Sequence, residues 1–435
     1  MSFFSSTIGG TVAATAVATA ALLAISCRAL YPRHAKAIAS PLRTVLPKLS
    51  PDQVARLDYT PDAFPGARDV STPYGSIRVY EFGPVDGRKV LMVHGISTSC
   101  QTLGPIAHGL VAHAGCRVML FDLFGRGFSD GVGDLPHDAR LYTSQMLLAL
   151  ASSALPWTGD AAFDLLGYSM GGGVAVHFVA AFPRMLRSLI LLAPAGLVRP
   201  ERFGAAARFV FTSGLVPERL LAAITRRRLR RPISSRRTEP RQKDGPSHSS
   251  SSSKQPSVLE KSTQPIDASV AEVVDVRDTA SELEHPEPRG SDLGMRVMRY
   301  VGWMLTHHEG FVPAFMSCIR DAPLVGQQAV WARLAAIVRG SQDGQEKQGP
   351  GLSLCLVFGR LDEVVNAEDY AADLLPMLGG KENATWEVVP GGHEFPMTYS
   401  RHVLRIIFTF WGEPEGALVK LQEEGEAELR AAGQN

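Results

Sequence analysis

The sequence predicts an α/β fold in which a mostly parallel central sheet has helices on both faces. Short apolar runs alternate along the chain with segments of helical length and composition, such as Ala139–Leu155 and Met170–Phe182. Strands that alternate with helices in this way form parallel sheets buried on both faces. The runs that predict strands are Ser76–Phe82, Lys89–His94, Arg117–Leu123, Phe163–Gly167, Ser188–Ala193, Leu352–Phe358 and Thr385–Val389.

A long segment, residues 197–323, interrupts this alternation between the fifth run, Ser188–Ala193, and the sixth run, Leu352–Phe358. It is far too long for a connecting loop. Its flanks, Arg202–Ile224 and Met295–Ile319, carry large apolar residues at helical spacing and predict a helical cap over the sheet. Its centre, residues 226–290, is basic, then serine-rich, then acidic, and is predicted to be disordered. The predicted division is a connector at 29–68, a core at 69–196 and 324–413, a cap at 197–323 and a tail at 414–435.

The amino-terminal segment predicts a membrane anchor within residues 1–28. No charged side chain occurs between Ser2 and Cys27, and a helix needs about 20 apolar residues to cross a bilayer. Basic residues follow the segment, namely Arg28, Arg33, Lys36, Arg43 and Lys48. The positive-inside tendency therefore predicts a single-pass anchor, with membrane association through residues 8–27 and a cytosolic catalytic domain. A cleaved signal that leads to secretion and a soluble alanine-rich helix are the alternatives.

A serine motif follows one of the predicted strands. Gly167, Ser169 and Gly171 match the pattern G-x-S-x-G between the apolar run Phe163–Leu166 and a helix of small residues. A strand, a sharp turn and a helix in this order form a nucleophile elbow, in which the two glycines leave room for the strained turn. The sequence therefore predicts Ser169 as a nucleophile.

A serine hydroxyl needs a base, and the base needs an acid that orients it. Asp362 follows the run that ends at Phe358, and His393 follows the run Thr385–Val389, so both come after strand ends. Glu363 is the rival acid, although the spacing from Gly359 favours Asp362. The predicted catalytic triad is Ser169, Asp362 and His393.

The oxyanion hole is predicted to use two backbone N–H groups, those of Ile96 and Met170, because such groups stabilise the charge of a tetrahedral intermediate. His94, Asp122 and Arg126 also lie near strand ends, and we interpret them as structural braces of their loops.

Composition excludes several classes of function. The formal net charge of +1 gives no reason to expect a nucleic-acid partner. The five cysteines are scattered and have no metal-ligand spacing. We therefore expect neither a metal nor an organic cofactor.

Five motifs together resemble the α/β-hydrolase superfamily: HGIST, FDLFGRGFSD, GYSMGG, GRLDEVV and GGHEF. The resemblance covers roughly residues 70–200 and 295–412 and implies an α/β-hydrolase fold with a cap, similar to carboxylesterases and lipases. Superfamily members that use an aspartate nucleophile are disfavoured by Ser169.

The expected activity is hydrolysis of an ester or thioester of a hydrophobic small molecule through an acyl-enzyme. Two alternatives stay open at this point. The same triad could serve carbon–carbon bond hydrolysis, or a cyclisation or condensation in secondary metabolism. The fold could also serve as a small-molecule receptor or scaffold without catalysis.

Overall fold

The computed structural model describes residues 17–20, 22, 35–199, 211, 216–229, 288–342, 345–346, 352–413 and 416–423. Its centre is an eight-stranded sheet with the order β8-β7-β6-β5-β3-β4-β2-β1. The strands are β1 (Ala67–Thr72), β2 (Gly75–Phe82), β3 (Lys89–Val93), β4 (Arg117–Phe121), β5 (Phe163–Tyr168), β6 (Leu186–Leu192), β7 (Ser353–Gly359) and β8 (Thr385–Val389).

The sheet is parallel except at one edge. β2 pairs antiparallel with both β1 and β4, whereas the other neighbours are parallel. Each of the seven predicted runs coincides with one strand from β2 to β8, so the predicted α/β-hydrolase fold is confirmed. The sequence prediction missed β1, an edge strand whose residues alternate between exposed and half-buried.

Helices connect the strands and cover the sheet. They are α1 (Pro41–Thr44), α2 (Pro51–Ala55), α3 (Gly104–Ala114), α4 (Ala139–Ala151), α5 (Met170–Ala181), α6 (Glu218–Leu229), α7 (Pro288–His307), α8 (Phe311–Asp321), α9 (Gln328–Val338), α10 (Ala367–Leu378), α11 (Phe395–Thr398) and α12 (Ser400–Trp411). α3 packs on α12, while α4, α5, α9 and α10 form a second packed group. Every residue of β5 is buried, which requires cover on both faces of the sheet.

Short elements complete the described structure. Single 3₁₀ turns occur at Leu46–Lys48, Cys100–Leu103, Pro183–Met185 and Lys381–Asn383, and residues 416–423 are helical. Two-residue strands pair Ala37–Ile38 with Gly131–Val132, and Ser341–Gln342 with Gln345–Glu346. The predicted connector therefore contains local structure, because α1, α2 and the first residues of β1 lie within it.

Helices α7 and α8, which fall within the predicted cap, are fastened to the loop after β4. Gly127 donates its backbone N–H to Met304 Sδ on α7 over 3.2 Å, and the Arg126 guanidinium contacts Cys318 Sγ on α8 at 3.3 Å. The ring nitrogen Nε2 of His308 lies 3.0 Å from the carbonyl of Ser129. These contacts fix the two helices beside the loop. The predicted disordered insert lies outside the described residues, apart from the last residues of α6 and the first residues of α7.

The predicted single-pass anchor with a cytosolic catalytic domain is wrong. In the part of the chain that the structure describes, no helix combines the length and the apolar character needed to cross a membrane. The longest helix of this part, α7, has 20 residues but includes Arg296 and Arg299, and charged groups are costly within a bilayer. Most of residues 8–27, through which membrane association was predicted, lie outside the described residues.

Candidate active site

Ser169 occupies a strained turn between β5 and α5. Its backbone has φ 54° and ψ −122°, a combination that a residue with a side chain rarely adopts. The turn is held because Ser169 donates its N–H to Leu192 O, and its carbonyl accepts the N–H groups of Gly172 and Ala195. Strain of this kind is retained where the surrounding structure enforces it, often at functional sites.

Close packing explains why Gly171, two residues after Ser169, has no side chain. A Cβ atom on Gly171 would lie 2.3 Å from Val93 O and 2.5 Å from His94 O, both of which are backbone atoms of β3 and the loop that follows. A side chain would therefore push α5 away from β3. The helix amino terminus can approach the sheet only without that side chain.

A hydrogen-bonded chain links the three residues predicted to form the triad. His393 Nε2 lies 2.9 Å from Ser169 Oγ, and His393 Nδ1 lies 2.7 Å from Asp362 Oδ2. All three residues are buried, with exposed fractions of 7%, 1% and 3% for Ser169, His393 and Asp362. Ser169 follows β5, Asp362 follows β7 and His393 follows β8. The carboxyl ends of these parallel strands meet at one edge of the sheet.

The contacts of Asp362 fix the proton on the imidazole. Asp362 Oδ1 accepts the backbone N–H groups of Val364 at 2.8 Å and Val365 at 2.7 Å, so Oδ2 faces His393. An ionised carboxylate only accepts hydrogen bonds, so Nδ1 donates and Nε2 is left to accept the Ser169 hydroxyl proton. Glu363, the rival acid in the sequence, is exposed.

Ile96 and Met170 lie on either side of the elbow. Ile96 is in the loop after β3, and Met170 begins α5, directly after Ser169. Within the described part of the chain, neither backbone N–H donates to another backbone carbonyl. An oxyanion hole formed by these two amides stays a prediction.

A buried scaffold holds the loop that carries Ile96. Arg126 donates from Nε to Ile96 O over 2.9 Å, and Asp122 accepts the N–H of Cys100 at 3.0 Å. His94 Nε2 accepts the N–H of Leu123, so its proton lies on Nδ1, beside Gly95 O. Burial, aided by the nearby charge of Arg126, lowers the pKa of His94 to about 3 and keeps the ring neutral. These contacts support the interpretation of His94, Asp122 and Arg126 as braces.

Two residues near the imidazole were not identified from the sequence. Tyr168 donates its hydroxyl to the His393 carbonyl over 2.9 Å, and its ring centre lies 5.4 Å from that of His393. Glu394 is fully buried, and Glu394 Oε1 accepts the N–H of Gly392 at 3.2 Å. The motif G-x-S-x-G leaves the second position open, so nothing in the sequence singles out Tyr168.

Glu394 predicts a specific pH dependence of stability. Burial raises its pKa above the usual 4.5, so the folded state favours the protonated carboxyl. The stabilisation from proton binding is complete below pH 4.5 and is lost as the pH rises through the folded-state pKa, at up to about 1.4 kcal/mol per pH unit between the two values. We expect Glu394→Gln to gain stability relative to the wild type as the pH rises. Chemical unfolding of both proteins at several pH values measures this, with exposed Glu363→Gln as the control. A Glu394→Gln difference that is constant with pH would contradict the prediction.

The described residues contain no group of three or more His, Cys, Asp or Glu side chains that could hold a metal ion.

Comparison with known proteins agrees with the fold and the elbow. The family described as "Serine aminopeptidase, S33" matches residues 86–264. A "Serine hydrolase-like protein" from Danio rerio is 31% identical over 132 residues, which cover 30% of this chain and 38% of that protein. "Lipase LipV" from Mycobacterium tuberculosis is 32% identical over 119 residues, which cover 27% of this chain and 42% of that protein. The chain thus spans about two fifths of the length of each of these relatives.

A solved structure extends the similarity over more of the chain. A thermophilic esterase from Thermogutta terrifontis superposes with a TM-score of 0.51 at 17% identity and covers 79% of this chain and 97% of its own. At this identity, the similarity establishes the fold alone. The sheet order, the strained serine turn and the sequence matches lead to the same assignment. This chain has the α/β-hydrolase fold, and part of it is similar in sequence to serine hydrolases.

Proposed function

We propose that this protein cleaves an ester or thioester of a hydrophobic small molecule by an acyl-enzyme mechanism. The observation that carries the proposal is the continuous chain of short contacts from Ser169 Oγ through the His393 imidazole to Asp362. A nucleophile, a base and an orienting acid within hydrogen-bond distance are the parts that acyl transfer needs.

In the proposed first half-reaction, Ser169 Oγ attacks the substrate carbonyl carbon while His393 Nε2 accepts the hydroxyl proton. Asp362 stabilises the imidazolium that forms through its contact with Nδ1. The backbone N–H groups of Ile96 and Met170 donate to the new oxyanion. The bond to the alcohol or thiol then breaks, and that group leaves with the proton from Nε2.

The second half-reaction regenerates the serine. A water molecule gives a proton to His393 Nε2 and attacks the acyl carbon, and the bond to Ser169 Oγ breaks. The proton on Nε2 returns to Oγ, and the carboxylic acid is released. In each half-reaction His393 Nε2 accepts one proton and gives one back, to an oxygen or, when a thiol leaves, to its sulfur.

Apolar cap helices support a hydrophobic substrate. Tyr300, Met304 and Leu305 on α7 and Phe311 and Phe315 on α8 are all buried. These side chains belong to the hydrophobic core, and an apolar cap suits a hydrophobic ligand. One of the sequence relatives bears the name lipase, which agrees with this substrate class.

A series of p-nitrophenyl esters from acetate to dodecanoate tests the proposed substrate class. We expect kcat/KM to rise with acyl length, because each methylene that becomes buried contributes up to about 0.8 kcal/mol. A thioester series of equal acyl lengths compares the two leaving groups. Flat or falling values along both series would contradict a hydrophobic acyl site. Hydrolysis of neither series above background would argue for one of the alternative functions on this fold.

A further inference from the structure

A cavity lies away from the three residues of the predicted triad. It has a volume of about 530 Å³ and lies along the groove between α3 and α12, next to α7 and the helical residues 416–423. None of Ser169, Asp362 and His393 lines it. This volume falls within the range of about 300–1,000 Å³ that is usual for small-molecule sites.

The charged side chains among the described lining residues of the cavity are basic. Arg296 on α7 and Arg401 on α12 line it, whereas none of the described lining residues is Asp or Glu. Arg299, rather than Arg296, pairs with the carboxylate of Asp58, at 2.5 Å. Arg296 instead donates to the backbone carbonyl of Asp58 over 3.0 Å, which leaves its positive charge without a carboxylate partner among the described residues. Complementarity therefore favours an anionic group on the ligand.

A buried acceptor adjoins Arg296. Gln101 is 5% exposed and donates from Nε2 to Asp58 O over 2.6 Å, the same carbonyl that Arg296 contacts. Its Oε1 has no hydrogen-bond partner among the described residues, although the side chain lines the cavity. Gln101 and Arg296 thus share the Asp58 carbonyl at this end of the cavity.

The remaining wall is apolar. Phe64, Leu293, Met397, Leu404 and Leu421 line the cavity from separate segments of the chain. A Cβ atom on Gly109, another lining residue, would lie 2.2 Å from Leu404 Cδ1, so α3 and α12 are in close contact along the groove. The walls thus combine cationic groups with a surface for an alkyl chain.

From these features we propose that the groove binds a single-chain amphiphile with an anionic head. The head contacts Arg296 and Arg401, and the alkyl chain packs against Leu404, Leu421 and their apolar neighbours. A fatty carboxylate and a monoalkyl phosphate share this chemistry. The proposal is independent of the reaction at Ser169, because its test measures binding.

Calorimetric titration of the full chain with dodecanoate, dodecyl phosphate and dodecyltrimethylammonium tests the proposal. Ser169 is replaced by alanine in every sample, so that no acyl transfer takes place. We expect one equivalent of an anionic probe to bind and the cationic probe of equal chain length not to bind. A preference for dodecyl phosphate would indicate a phosphate headgroup, and a preference for dodecanoate a fatty acid.

Three variants locate the site. Arg401→Glu reverses a charge in the wall and is expected to weaken anion binding at least about tenfold. Arg405→Glu makes the same change one turn later on α12, at an exposed residue that does not line the cavity, and is expected to leave binding unchanged. Ala112→Trp fills the groove at an exposed lining residue and is expected to abolish binding. Thermal unfolding checks that each variant is folded.

Several results would overturn the proposal. Equal effects of Arg401→Glu and Arg405→Glu would mean that the anion binds a diffuse surface charge. Binding that survives both Arg401→Glu and Ala112→Trp would place the ligand elsewhere, for example beside residue 169. Self-association that is lost in Arg401→Glu, without binding of either anionic probe, would assign the groove to a second copy of the chain.

Discussion

Replacing Ser169 with alanine is expected to lower kcat for the best ester substrate by about 10⁶-fold, the loss typical of a removed serine nucleophile. The substitution removes the oxygen that lies 2.9 Å from His393 Nε2, and no acyl-enzyme can form without it. The backbone N–H groups of Ile96 and Met170 stay in place, so weak residual hydrolysis by bound water is expected. Turnover of a p-nitrophenyl ester measures the change.

Thermal unfolding provides the control for Ser169→Ala. The hydroxyl sits on a turn that backbone hydrogen bonds hold, so its loss should leave the fold intact. A folded Ser169→Ala protein with full turnover would exclude acyl-enzyme chemistry at this residue.

The substitution Asp362→Asn is expected to lower kcat by about 10⁴-fold through the tautomer of His393. The N–H groups of Val364 and Val365 both donate to Oδ1, so the amide oxygen of asparagine should occupy that position. The amide NH₂ would then face Nδ1, which must accept, and the ring proton moves to Nε2. A protonated Nε2 cannot accept the proton of Ser169.

Glu363→Gln is the matched control for Asp362→Asn. It makes the same chemical change at the next residue, whose side chain is exposed, and it should leave kcat unchanged. The ester assay measures both variants. If Glu363→Gln lost activity and Asp362→Asn kept it, the assignment of the orienting acid would have to change.

The sheet could be predicted in large part because its strands are buried. Most of the runs between Lys89 and Phe358 are predominantly apolar, as expected for parallel strands that are covered on both faces. β1 was missed because Ala67–Thr72 lies at the edge and carries no apolar run.

The order of the motifs was sufficient to predict that Ser169, Asp362 and His393 follow different strands. It could not predict the contact of Tyr168 with the His393 carbonyl, which joins residues 225 positions apart. The groove could not be predicted from the sequence either, because its wall combines residues from α3, α7 and α12 that share no motif.

The wrong prediction of a single-pass anchor has a different origin. It relied on the absence of charged residues before Arg28, although threonines and glycines dilute the apolar character of that segment. Among the described residues, no helix meets the requirement for a membrane span.

Labelling with a fluorophosphonate tests the central claim most directly, because the reagent phosphonylates a serine only when a base activates it. We expect the wild-type chain to gain one adduct, which peptide mass spectrometry places on Ser169, and we expect folded Ser169→Ala to gain none. A correctly folded wild-type chain that stays unlabelled, or an adduct on another residue, would contradict the proposal that Ser169, His393 and Asp362 act together as a catalytic unit.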